Sequence, residues 1–136
     1  MADGESELIL LQHVHIEPNN CAIEEPLLLE MDFVAHVDLL DARWEIKFMA
    51  DQANKRKIIV LGETPMQDYP AGAHQMAFSV DEVDVSHLKR HVLANVGLLM
   101  ATLYAGDQEI VGVNMVTQVS ALPDGGLVRS VFSPLD

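Results

Sequence analysis

Residues 27–37 alternate with a period of two. Leu27, Leu29, Met31, Phe33, Ala35 and Val37 fall on one side; Leu28, Glu30, Asp32, Val34 and His36 fall on the other. Successive side chains of a strand point to opposite faces, so this run predicts a strand with one buried face. Arg43–Ala50 repeats the pattern, with Trp44, Ile46, Phe48 and Ala50 set against Arg43, Glu45, Lys47 and Met49. A third alternation follows Tyr69-Pro-Ala-Gly: His74, Met76, Phe78 and Val80 against Ala73, Gln75, Ala77 and Ser79. Pro70 fixes φ and has no N–H to donate, while Gly72 tolerates unusual φ. The segment therefore predicts a turn that feeds a strand, with His74 at the strand's start.

The remaining segments are read by length and punctuation. Met1–Ser6 is a loose end, and Glu7–Ile16 is a strand stopped by Glu17-Pro-Asn-Asn20. Cys21–Pro26 is expected to be a connecting loop, Asp38–Ala42 a turn, and Gln52–Lys57 a locally basic hairpin loop. Ile58–Leu61 is a short strand closed by Gly62, followed by loop over Glu63–Tyr69. Asp81–Ala94 breaks the period. Ser86 is placed as an N-cap, with Leu88, Val92 and Leu93 as an apolar stripe, so one or two helical turns are expected. Gly97–Tyr104 is continuously apolar and suits a central strand; Ala105-Gly-Asp107 turns it back into Gln108–Ser120 as a hairpin. Pro123–Gly126 is a further turn, and Leu127–Phe132 a short segment in a terminal extension over residues 121–136. Seven or eight short strands between turn signals predict an all-β fold, a two-sheet antiparallel β-sandwich forming a single domain over residues 1–136.

Charge narrows the partners. Eight Lys and Arg stand against 21 Asp and Glu, for a net charge of −13. Such a surface repels phosphate backbones and attracts basic polypeptides, so direct nucleic-acid binding is not expected. The single cysteine, Cys21, excludes an intrachain disulfide framework and suits a reducing compartment. MADGESE is acidic and unlike a signal peptide. The longest apolar run, Val92–Ala105, is shorter than the about 20 residues a membrane helix needs. A nuclear or cytoplasmic protein with no membrane partner is expected.

Candidate chemistry is sparse. His13-x-His15 puts two imidazoles on one strand face, but a metal needs a further ligand. His87 and His91 stand four apart, with Leu88 where the HExxH motif needs Glu. No nucleophile elbow, P-loop or dinucleotide fingerprint is present. Cys21 sits beside Asn20 with no cation next to it to activate the thiol. Neither catalysis nor a cofactor or metal is expected. Protein binding remains: a small sandwich has edge strands that accept a partner's strand. If one sheet face is open, alternate residues of Leu98-Leu99-Met100 form an apolar patch.

Four motifs, in order, resemble the anti-silencing function family of histone chaperones. Glu25-Pro-Leu-Leu-Leu-Glu-Met-Asp-Phe33 resembles that family's Asn-Pro-Phe-x-Phe-Glu-Ile-x-Phe strand, and Arg43-Trp-Glu-Ile-Lys-Phe48 its Glu-Trp-Lys-Ile-x-Tyr strand. Pro70-Ala-Gly-Ala-His74 with Phe78 resembles its Pro-Ala-Gly-x-His corner. Gly97–Tyr104, followed by Gly106 and Gln108-Glu109, resembles its long apolar strand and Gly-Gln-Glu turn. The spacing holds from about Glu7 to Gln118. The resemblance implies an immunoglobulin-like sandwich that binds the dimer of histones three and four, with a helix of histone three on a concave apolar sheet and the tail of histone four at an edge strand. Carried over, that surface falls on Leu98 and Met100 of the apolar strand and on Val111, Gly112 and Val113 of the return strand, where the family has an arginine and this chain has none. It also falls on Lys57 and Ile58, where the family has an aspartate in an acidic loop and this chain reads Lys55-Arg56-Lys57. The acidic pair that docks partner chaperones shrinks to Asp38. The same departures leave room for a second expectation, a sandwich repurposed as a structural or adaptor subunit of another assembly, for example a cytoskeletal or ciliary one.

Overall fold

The computed structural model describes residues 8–135. In chain order the elements are β1 (Ile9–Glu17), β2 (Cys21–Ala22), β3 (Leu27–Ala35), β4 (Leu39–Ala50), β5 (Lys57–Glu63), β6 (Gln67–Tyr69), β7 (Gly72–Val80), α1 (Arg90–Leu93), β8 (Gly97–Ala105), β9 (Gln108–Ala121) and β10 (Leu127–Val131). They build an all-β, immunoglobulin-like sandwich. One sheet has the order β1-β3-β7; the other runs β2-β10-β9-β8-β4-β5, with β6 also on β4. The described pairings are antiparallel.

The alternations decide which faces meet. Leu27, Leu29, Met31, Phe33 and Ala35 on β3 are buried, as are Met76 and Phe78 on β7. They face Trp44, Ile46 and Phe48 on β4, Leu99, Ala101 and Leu103 on β8, and Val111, Val113 and Met115 on β9, within one contiguous core. Phe33 crosses between the layers, with its ring 5.5 Å from Trp44 and 5.1 Å from Tyr69 in edge-on geometry. Edge-on pairs of this kind add to the burial of the rings themselves. His74 closes the cluster: its ring lies 5.0 Å from Tyr69 and donates to the Pro70 carbonyl at 2.6 Å.

Four local expectations are corrected by tertiary contacts, and a fifth in extent: β3 stops at Ala35, so Val37 is 40% exposed instead of buried. Asp38–Ala42 is not simply a turn, because β4 already begins at Leu39. Asp41 takes φ 52, and the register breaks between Leu39 and Ala42, so the strand kinks while pairing with β6. Cys21–Pro26 contains β2, which pairs with Val128 and Arg129 of β10. Glu63–Tyr69 contains β6. Strands of two or three residues have no pattern of their own; a neighbouring ladder recruits them. Ser86 is not an N-cap: its N–H and hydroxyl bond Asp84 at 3.0 and 2.6 Å, and the single helical turn begins later, after Lys89, with no side-chain cap. Val92 and Leu93 are buried as expected from the stripe. The expected loose end at Met1–Ser6 and the first residue of Glu7–Ile16 lie outside the described residues.

Arg129 on β10 is the main buried cation. Its guanidinium donates to the carbonyls of Ile23, Glu25 and Pro26 at 2.7–2.9 Å, tying the β2–β3 connection to the last strand. Burial pushes its pKa down, partly offset by Cys21, Glu25 and Glu24. Replacing Arg129 by Met would leave several buried carbonyls without donors, each costing about 1–3 kcal/mol. We expect Arg129→Met to lower unfolding stability by at least about 2 kcal/mol in urea titrations; no measurable change would refute the staple.

Burial raises the Tyr69 hydroxyl above its ordinary 10.0, moderated by Trp44 and Gln67 nearby. The Trp44 indole N–H is without a well-formed hydrogen bond, whereas the Gln67 amide donates to the hydroxyl at 3.2 Å. In the unfolded chain the phenol ionises first, so its contribution is full below pH 10.0 and is lost as pH rises through the higher folded pKa. Tyr69→Phe is expected to flatten the fall of melting temperature above that pH.

Candidate protein-binding face

In β4, β8 and β9 the residues between the core positions point to the other side of the large sheet. Register aligns them. Met49 stands opposite Ile58 of β5 and Leu98 of β8, and Leu98 opposite Val116 of β9. The Phe132 N–H bonds the Val116 carbonyl at 2.9 Å and extends the line past the end of β10. Ile58, Met49, Leu98, Val116 and Phe132 thus form one apolar row across five strands. Strands lie about 4.8 Å apart, so the row is about 19 Å long. Beside it run Val60, Lys47, Met100 and Asn114, then Glu45, Thr102 and Gly112. Ile58, Val60, Val116 and Phe132 are 53%, 62%, 46% and 49% exposed, and they adjoin one another or the row on a single sheet face.

The rim of this face is polar. Lys47 pairs with Glu45 at 3.2 Å and Arg43 with Glu63 at 3.2 Å. The Arg43 guanidinium also lies 4.8 Å over the Tyr104 ring. Such half-exposed pairs add little stability; their effect is to bound the apolar row along one flank. On the outer edge β5 pairs only with β4 among the described residues, so its other side offers unpaired backbone.

The sequence-predicted residues separate into four places. Ile58, Leu98 and Met100 share the outer face, with Gly112 one row further along. Val111 and Val113 do not belong to it: they are 2% and 1% exposed and face the core. Neighbours in a strand cannot share a face, so assigning Val111, Gly112 and Val113 together was bound to misplace some of them. Lys57 sits opposite the buried Ala50 at the end of β4, on the other side of β5 from Ile58. Asp38 is remote: its carboxylate accepts the Ala71 N–H at 2.8 Å, at the opposite end of β4. The separation is on the order of 35 Å along the strand. Met49, Val60, Val116 and Phe132 were missed as site residues, because only strand register reveals that they line up.

The histidines stay scattered. His15 bonds Glu17 at 2.8 Å, and His13 stands across from Asp32. Among the described residues no three metal-ligating side chains are grouped. No described helix is long and apolar enough to cross a membrane.

Fold and face together define a β-sandwich with one uncovered apolar sheet face. No family model and no curated protein matches the chain.

Gly97 shapes the head of the row. A Cβ there would meet the Met49 carbonyl at 2.5 Å and the Phe48 ring at 2.9 Å. Backbone cannot retreat as a flexible side chain can, so Gly97→Ala is expected to cost about 1–3 kcal/mol in chemical denaturation. A neutral result would mean β8 can shift without disturbing β4.

Proposed function

We propose that this chain is a non-enzymatic protein-binding module of the histone chaperone type. The observation that carries the reading is the apolar row Ile58–Met49–Leu98–Val116–Phe132 on an otherwise strongly acidic protein. At 1.5 Å per residue, a row about 19 Å long matches the apolar face of a helix of about 13 residues. By the resemblance, the helix would be that of histone three and the tail of histone four would add to an edge strand. The net charge of −13 favours encounter with so basic a partner.

A second reading has a specific observation behind it. Lys55, Arg56 and Lys57 form the loop that leads into Ile58, a loop that is acidic in the resembled family, and Gly112 offers no arginine. Like charges facing a histone oppose docking. These features favour an adaptor subunit whose helix partner is not a histone.

Pulldown of recombinant histones three and four by the full chain separates the two. If the chaperone reading holds, Leu98→Asp weakens capture at least about ten-fold, or 1.4 kcal/mol, with the melting temperature little changed. Capture that vanishes with salt yet ignores Leu98→Asp is diffuse charge attraction. Absence of capture in low salt removes the histone reading and leaves the adaptor one.

A further inference from the structure

Of the eight Lys and Arg, five fall in two short segments: Lys55, Arg56 and Lys57, and Lys89 and Arg90. The fold brings these segments to one end of the sandwich, where the Gln52 N–H bonds the Val96 carbonyl at 2.9 Å. Between them lies an open depression of about 340 Å³. Lys55 and Lys57 form one wall, His87, Lys89 and His91 the other, and Leu88 with Val92 an apolar floor. No carboxylate lines it. The acids closest in sequence have hydrogen-bond partners of their own. The buried Asp51 side chain accepts the Lys55 backbone N–H at 3.0 Å. Asp84 is held below the usual carboxylate range chiefly by its Ser86 hydrogen bonds, with His87 of the wall acting in the same direction. Among the described residues Lys55, Lys57 and Lys89 enter no ion pair.

We propose that this depression docks a carboxylate-rich segment of a partner polypeptide, at a site separate from the apolar row. Three unpaired ammonium groups around an apolar floor fit Asp and Glu interspersed with an aliphatic anchor. A nucleic acid fits less well: its unbroken charge would extend past the depression onto a body carrying the rest of the −13. A short acidic segment ends before that repulsion accumulates.

The test is fluorescence anisotropy of the full chain with a labelled short peptide of about four Glu and Asp residues around one Leu, at about 50 mM salt where screening is weak. Saturable binding is expected, at least about ten-fold weaker for Lys57→Glu/Lys89→Glu and weakened in the same direction, but less, by Lys57→Gln/Lys89→Gln. Both lysines are exposed, so melting temperatures should be retained. Leu98→Asp should leave peptide affinity unchanged, so a failed apolar face and a failed basic depression give different results. The proposal is overturned if the peptide does not bind, if reversal of both lysines is without effect, or if an oligothymidylate of equal charge binds as tightly.

Discussion

The large sheet of this protein carries apolar side chains on both of its faces, and the fold supplies a cover for only one. Strands β4, β8 and β9 turn Trp44, Ile46, Leu99, Leu103, Val113 and Met115 toward the three-stranded sheet. That sheet has its own single buried side, so it can seal only one surface of its larger neighbour. The opposite surface keeps Met49, Leu98, Met100 and Val116, plus Ile58 and Val60 on the edge strand. Apolar surface left in water is costly, at about 25 cal/mol per Å². A partner that covered it would recover that free energy, which is the physical ground of the proposed binding face.

The two ends of the sandwich are closed by different means. At the Pro70 end, Phe33, Trp44, Tyr69 and His74 pack ring against ring, and the Asp38 carboxylate pins the corner. At the other end Arg129 takes up three carbonyls of an irregular connection that has no ladder of its own. Asn19 adds to this closure, exchanging two hydrogen bonds of 2.8 Å with the backbone of Val131. Buried backbone must be paired somewhere. Side chains do that where the strands run out, and they keep the sheet beneath the apolar row from fraying.

Charge is arranged as deliberately as apolar area. The negative excess is spread over the body, while most of the cations converge at one end from residues more than thirty positions apart in the chain. A net charge of −13 therefore describes encounter at long range but not the contacts made at close range.

Alternation and turn punctuation together determined the sandwich. Leu27–Val37, Arg43–Ala50 and His74–Val80 show period two, and the hairpin after Tyr104 is marked by Gly106-Asp107. Half of the candidate face was legible in the same way, since Leu98, Met100 and Ile58 are apolar residues in strands. What tertiary structure alone decided is register and coverage. Register joined Met49 to Ile58 and Leu98, carried Phe132 to Val116, and turned Val111 and Val113 inward. It also made strands of Cys21–Ala22 and Gln67–Tyr69, which depend on a neighbour's ladder. A period of two says that a strand has two faces; it carries no information about which face another sheet will reach, because that depends on hydrogen bonds between residues far apart in the chain.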